Sequence, residues 1–379
     1  MKAKPKHQEI SNQLQTEIAA GRHVEGDRLP SEIQLAEQFD VSRVTIARAF
    51  RDLEAQGLIN RRKGSGTYVT AGTDQKRTTR ILGLLVPGLA STEIFQIICG
   101  EIGSLARVHD FGLLWGGSTN PREDQDASLS HAEDLCRQFI ERKISGVFFA
   151  PAELEPRQEE SNRRLAESLR EAGITVVLID RDLLEFPARS DFDLVGLDNM
   201  TSGYIVAEHL IKLGCKRMIF VARPHSAATV DARIAGVREA LARNQIESDP
   251  GWVRYGDPSD LKFVRSLTAG KQTDAFICAN DFTAAVLLRS MQSLNIRAPQ
   301  DFRVVGFDDV KYATLVSPPL TTIHQPCRDL ATIAFRTMLE RLAEPTLPAR
   351  SIYLTPHLVV RESCGAYLPR STSAPPRRK

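Results

Sequence analysis

Four places in this 379-residue chain set carboxylates or amides directly after a short apolar run: Ile179-Asp180-Arg181-Asp182, Leu197-Asp198-Asn199, Ala279-Asn280-Asp281 and Phe307-Asp308-Asp309. Fixed at the carboxyl ends of parallel strands, such side chains can grip a polyhydroxylated small molecule, since each carboxylate or amide can hold paired hydroxyls. An aromatic such as Phe95 or Trp115 can cover the apolar face of that ligand. The same residues also have a structural use. Asp and Asn cap helices, Asn199 and Asn280-Asp281 directly precede helical stretches, and Phe95 and Trp115 suit a core equally well. A second set lies near the amino end, where Ser42, Arg43 and Thr45 open a helical pattern. If that helix enters a major groove, its first side chains meet base edges and its free amides meet phosphates.

The elements around this second set follow from spacing. Ser31 can cap a helix that begins after Leu29-Pro30, with Gln34 returning a bond to the cap, and that helix carries Ile33, Leu35, Ala36 and Phe39. After a turn at Asp40-Val41, Ile46, Ala49, Phe50 and Leu53 form one apolar stripe, leaving Val44, Arg48 and Arg51 on the outside. The chain then runs from Leu58 to Lys63, turns at Gly64-Ser65-Gly66 and returns through Thr67-Tyr68-Val69, which predicts a hairpin wing. Glycine at its tip permits close approach to a phosphate. Ile10, Leu14 and Ile18 predict a preceding helix over 7–20. Two helices and a hairpin also suit a small protein-binding module, so spacing alone leaves both readings open.

The motifs LPSE, VSRVT, RAFRDLEAQGLI and KGSGTYV, in this order, resemble the DNA-binding domain of the GntR family of bacterial regulators. The resemblance implies a winged helix-turn-helix over 1–70 that binds double-stranded operator DNA. By it Ser42, Arg43, Thr45 and Gly66 would contact the operator, and Ser31, Val44, Arg48 and Gly64 complete the expected DNA-facing set. Two positions depart from the family pattern. Ile33 and Ala47 stand where arginines are usual, which removes two candidate phosphate or guanine contacts and implies a different operator or weaker binding.

Composition is that of a globular protein, 42% hydrophobic and 25% charged. The net charge of +2 hides an asymmetry, because residues 1–80 hold fourteen Lys/Arg against ten Asp/Glu. Six cysteines at 99, 136, 215, 278, 327 and 364 form no CxxC pair, so buried free thiols are expected and a metal site is not. Cys99, Cys136, Cys215 and Cys278 fall within helical or strand patterns. The basic start is followed by no apolar stretch, and no run reaches membrane-spanning length, so a cytoplasmic protein is expected.

Residues 71–80 read as a polar linker. From Ile81 onward, short apolar runs alternate with amphipathic segments, the signature of a parallel α/β sheet. Strands are predicted at 81–87, 112–115, 146–150, 174–180, 193–198, 217–221, 275–279 and 303–308, with helices such as 158–172, 203–213 and 230–243 between them. The length suits two βα lobes with a cleft between.

VGLDNMTSGYIVAEHLIKLGCKRMIFVA, RIAGVREAL, AFICANDFTAAVLLRSMQ, FRVVGFDD, SPPLTTIHQP and HLVVRES resemble the effector domain of LacI/GalR-type repressors and periplasmic sugar-binding proteins. This implies a two-lobed, doubly wound type I periplasmic-binding-protein-like domain over 81–365. One lobe is expected at about 81–187 and 323–350, the other at about 188–322 and 351–365, with a tail over 366–379. The effector contacts implied are Arg233, Asn280 and Asp308, with Asp180, Gln325 and the aromatic Phe95 added. The fusion to a GntR-type head resembles the arabinose-repressor subfamily. It implies a homodimeric repressor of carbohydrate-utilisation genes, released by a sugar, with no cofactor and no catalytic residues. A nucleobase or sugar-phosphate effector and an activating role stay open. A sugar-processing enzyme is disfavoured, because phosphate-loop and nucleophile-elbow motifs are absent from the sequence.

Overall fold

The computed structural model describes residues 6–19, 22–24, 26–55, 57–62, 65–70, 80–86, 93–116, 125–269 and 273–368. The chain divides into two compact units, Met1–Thr79 and Arg80–Lys379. Gly64, the linker residues 71–79 and the tail from 369 lie outside the described residues.

The first unit holds α1 (Lys6–Ala19), α2 (Glu32–Gln38), α3 (Arg43–Ala55) and the antiparallel pair β1 (Ile59–Arg62) and β2 (Gly66–Val69). Ile10, Leu14, Leu35, Ile46, Ala49, Phe50 and Leu53 make its core, together with Ile59 and Val69 from the wing. The apolar stripe of α3 is fully buried, as its spacing requires. Ile33 instead points outward, 56% exposed. One feature had no sequence signal: the segment 26–29 pairs with the wing, through Gly26 N to Val69 O, Leu29 N to Thr67 O and the bridge between Arg28 and Tyr68.

The second unit runs β3 (Arg80–Leu85), α4 (Glu93–Val108), β4 (Phe111–Trp115), α5 (Gln125–Glu141), β5 (Gly146–Phe149), α6 (Gln158–Glu171), β6 (Thr175–Ile179) and β7 (Asp193–Leu197). It continues with α7 (Asn199–Lys212), β8 (Met218–Ala222), α8 (Ala228–Arg243), β9 (Val253–Tyr255), α9 (Leu261–Thr268), β10 (Ala275–Cys278), α10 (Asp281–Ser293), β11 (Arg303–Asp308) and α11 (Lys311–Leu315). Last come β12 (Thr321–His324), α12 (Cys327–Ala343), β13 (Ser351–Leu354), β14 (His357–Val359) and a 3-10 turn at Glu362–Cys364.

These strands build two six-stranded sheets, ordered β13-β7-β6-β5-β3-β4 and β14-β12-β11-β10-β8-β9. All pairings are parallel except β12 with β14. Side-chain alternation explains why each sheet is covered on both faces. Phe148, Val177 and Ile179 pack with α4 and α12, whereas Val147, Phe149, Val176 and Leu178 pack with α5 and α6. In the second sheet, Phe220, Ile277 and Phe307 face α7 and α8, and Val221, Phe276 and Val304 face α9 and α10.

The lobe limits differ from those expected. β7 pairs with β6 and β13 pairs with β7, so 193–197 and 351–354 belong to the first lobe, not the second. β12 pairs with β11 and therefore lies in the second lobe, while α12 packs in the first. The chain thus crosses between lobes after β7, after β12 and after β13. Strand partnership is a long-range choice that no local pattern encodes. The described chain also stays packed beyond 365, with Ala366 against the second-lobe core.

All six cysteines are free. Cys215 lies in the turn between α7 and β8, outside both elements. Burial pushes the Cys99 and Cys327 thiols up to about 12, which makes them poor nucleophiles.

Candidate functional site

The head and the cleft each gather a set of functional side chains. In the head, Ser31 caps α2 by accepting from Gln34 N at 3.3 Å, and the Gln34 Oε1 accepts from Ser31 N at 2.9 Å. That capping box occupies Ser31 structurally. Ser42 plays the same part for α3, with Thr45 N donating to its Oγ at 3.3 Å and the two hydroxyls 2.8 Å apart. Arg43 projects from the first turn of α3, its Nε 3.2 Å from Glu32 Oε2. Arg61 of the wing takes the other Glu32 oxygen, so one carboxylate ties α2, α3 and β1 together. Val44, Arg48 and Arg51 lie three and four residues apart and are exposed along one face. Gly66 has φ +129°, a backbone conformation that side chains with a Cβ rarely adopt, so this turn favours glycine.

The cleft site forms where the carboxyl ends of the two sheets meet. Asp180 follows β6 in the left-handed region at φ +71° and is buried. Its Oδ1 accepts from Gln325 Nε2 at 2.9 Å across the lobes, and its Oδ2 accepts from Arg181 Nε at 3.0 Å. Arg181 continues to Glu153 Oε1 at 2.8 Å and lies over the Phe95 ring, 5.3 Å from its centroid. Glu153 Oε2 accepts from Ala227 N of the second lobe at 3.3 Å. Burial alone would raise the Glu153 carboxyl, but the Arg181 guanidinium outweighs it and holds the group below the usual carboxylate range.

On the second lobe, Arg233 donates Nε to Asn199 Oδ1 at 2.8 Å and Nη1 to Ala279 O at 2.6 Å. Its Nη2 faces Asp308 Oδ1 at 3.8 Å. Two glycines make this placement possible. A Cβ at Gly203 would collide with the Arg233 carbonyl, and one at Gly236 with the Met200 carbonyl, so α7 and α8 cross backbone to backbone. Asp308 sits at φ +115° at the end of β11, where burial, reinforced by Asp180 and Glu153 and opposed by Arg233, pushes its carboxyl up to about 7. Gln325 is buried, and its Oε1 has no hydrogen-bond partner among the described residues. An acceptor so placed suits a ligand hydroxyl.

Asp180, Arg233, Asp308 and Gln325 are therefore brought together. Asn280 stands at the same edge but spends its Oδ1 capping α10, on Thr283 N at 2.8 Å. Phe95 is buried in the first-lobe core beneath Arg181, so its ring is no open platform for a ligand, contrary to expectation. Trp115 ends the edge strand β4. Asp198 and Asp182 serve the backbone, on Thr201 N at 2.9 Å and on Leu184 N at 3.0 Å. Sequence reading passed over two residues of the cluster, Arg181 and Glu153. Each follows the end of a central strand, and that position was the available signal.

Two further contacts join the lobes at the cleft margin: Leu154 N to His225 O at 2.7 Å, and Lys311 Nζ to Glu93 Oε1 at 2.7 Å. A half-open cavity with about 440 Å³ of empty space borders Asp180, Arg181 and Asn199 and extends past Thr229 to Phe186 and Tyr353. Arg233, Asp308 and Gln325 do not line it. The convergence of buried polar groups, more than this side cavity, makes the candidate ligand site.

Comparison with known proteins agrees with both halves. Residues 6–69 match the bacterial regulatory proteins of the gntR family, and residues 207–364 match the periplasmic binding protein-like domain. An arabinose metabolism transcriptional repressor of Geobacillus stearothermophilus is 24% identical over 96% of this chain and 98% of its own length. The transcriptional repressor PurR of Photobacterium profundum is 31% identical over 55% of this chain and 68% of its own. Among solved structures, a CelR–cellobiose complex has a TM-score of 0.64 at 21% identity, covering 88% of this chain and all of that one. A LacI family regulator from Mycobacterium smegmatis has a TM-score of 0.61 at 25% identity, covering 74% of this chain and 98% of its own.

Fold, head and relatives together define a ligand-responsive, DNA-binding transcriptional regulator and not an enzyme. The chain joins a head that matches the gntR family to a periplasmic binding protein-like domain that belongs with the PurR repressors, and it is similar over nearly its whole length to the arabinose metabolism repressor.

Proposed function

We propose that this regulator represses carbohydrate-utilisation genes as a cytoplasmic homodimer and leaves its operator when a sugar occupies the interlobe cleft. The observation that carries this reading is the convergence of Asp180, Gln325, Asp308 and Arg233 from both lobes, with the Gln325 Oε1 left for a ligand. Relatives support a sugar. One is named for arabinose metabolism, and the CelR structure holds cellobiose. The cluster's charge also disfavours an anionic effector. Glu153 and Asp180 already match Arg181 and Arg233 before Asp308 is counted, so a phosphate would find no uncompensated cation.

Ser42, Arg43, Val44, Thr45, Arg48 and Gly66 form the DNA-facing surface in this reading. Ligand closure shifts one lobe against the other and misplaces the two heads relative to successive major grooves. The test is thermal unfolding of the purified protein with neutral sugars, uronic acids, sugar phosphates and purines, because a ligand that binds the native state raises its melting temperature. Stabilisation by a neutral sugar supports the reading. Stabilisation by a purine or phosphate ester alone would replace it.

A further inference from the structure

Helices α2 and α3 leave two large hydrophobic side chains exposed, Ile33 at 56% and Val44 at 72%. Both belong to the first turn of their helix, and each follows one member of the same ion pair. Glu32 precedes Ile33, Arg43 precedes Val44, and Arg43 Nε lies 3.2 Å from Glu32 Oε2. That carboxylate also holds Arg61, so the two helix starts and the wing are fixed to one another. Val44 shares its helix face with the exposed Arg48 and Arg51, four and seven residues on. Each of the two helix starts therefore carries an exposed apolar side chain beside guanidinium groups, whose charge complements a phosphate backbone.

Neither side chain serves the fold. A single exposed apolar residue is ordinary. Here, however, both are β-branched, which lowers helix propensity, and neither packs in the core of the unit. In a major groove, an apolar side chain leaves hydrogen-bonding base edges unsatisfied and is rewarded chiefly by the thymine C5-methyl group.

We infer that Ile33 and Val44 are specificity-determining residues that read thymine methyl groups in the operator half-site. This rests on the DNA-binding assignment of the head and adds the base type that two of its residues select. At Ile33 the chain reads a methyl group where an arginine would seek guanine or phosphate. The lost arginine is on this view an exchange of specificity.

The experiment begins by selecting duplexes from a randomised pool with the full-length protein. Each thymine of the selected half-site is then replaced, one at a time, by deoxyuridine, which removes the methyl group and leaves the pairing edge intact. The wild type should lose about fourfold in affinity at one thymine for each side chain. Val44→Ala should be indifferent to the methyl at one of those positions and Ile33→Ala at the other. Both positions are exposed and alanine favours helix, so unchanged melting curves verify that the variants fold. Equal binding of every deoxyuridine duplex would overturn the assignment, as would methyl sensitivity that persists in both alanine variants. Failure to select any duplex would instead overturn the DNA-binding assignment beneath it.

Discussion

Asp308 makes the sharpest demand on a single residue. Burial, with Asp180 and Glu153 nearby, lifts its carboxyl to about 7, against an ordinary value of 3.8. Between those values the native state holds a proton that the unfolded chain has released. The contribution of this group to stability is thus present below the lower value and is lost as pH rises through about 7. Asp308→Asn should therefore raise the melting temperature relative to wild type at pH 8 and change it little at pH 5. Equal shifts at both would show that Asp308 ionises normally. Asp308→Ala should abolish the response to a stabilising sugar while leaving DNA affinity intact. Arg43→Ala, whose partner is Glu32 outside the cleft, should weaken DNA binding and leave ligand-induced stabilisation unchanged. Asp180 stands out in the sequence by its strand-end position, whereas Arg233, within α8, and Gln325, after a strand without a sequence signal, enter only through the motifs of the resemblance. That rule did not tell ligand groups from caps: Asp198 and Asn280 follow it equally and spend side-chain oxygens on the backbone. It also missed Glu153, whose role depends on Arg181 from a neighbouring strand.

Among the elements, the crossing of α7 over α8 is what places Arg233. Its closeness depends on Gly203 and Gly236, where any Cβ meets backbone that cannot move aside. Gly236→Ala should cost about 1–3 kcal/mol or more. It should also weaken ligand-induced stabilisation out of proportion, because it displaces Arg233 and with it the face opposite Asp308. Denaturant unfolding with and without sugar separates the two effects. A wild-type melting curve would show that the helices can part without consequence. The eight predicted strands all form: seven are central parallel strands, continuous apolar runs on which a local reading suffices, and the edge strand β4 keeps an apolar run at Leu113-Leu114-Trp115. β9, β13 and β14 give no continuous apolar run because they are partly or fully exposed, and β12, though buried, reads Thr321-Thr322-Ile323-His324. The lobe limits implied by the resemblance put β7 in the second lobe, whereas β13 continues the first sheet past β7 and keeps both strands in the first.

Taken as a whole, the second unit is a pair of lobes joined by three crossings and fastened across the cleft by Gln325 with Asp180, Glu153 with Ala227, and Lys311 with Glu93. A ligand that adds to these contacts favours the closed arrangement, and in the proposed function closure carries its binding to the DNA. Lys311→Glu should loosen closure and weaken sugar affinity about twofold or more, and the exchange Glu93→Lys with Lys311→Glu should restore it. No restoration would mean that the pair does not hold the lobes.

The most direct test of ligand-controlled DNA binding is the affinity of the full-length protein for a selected duplex, measured by fluorescence anisotropy with and without the sugar that stabilises it. The account predicts a loss of about 5- to 150-fold with sugar in the wild type and none in Asp308→Ala. Unchanged wild-type affinity at a saturating concentration of that sugar would contradict it.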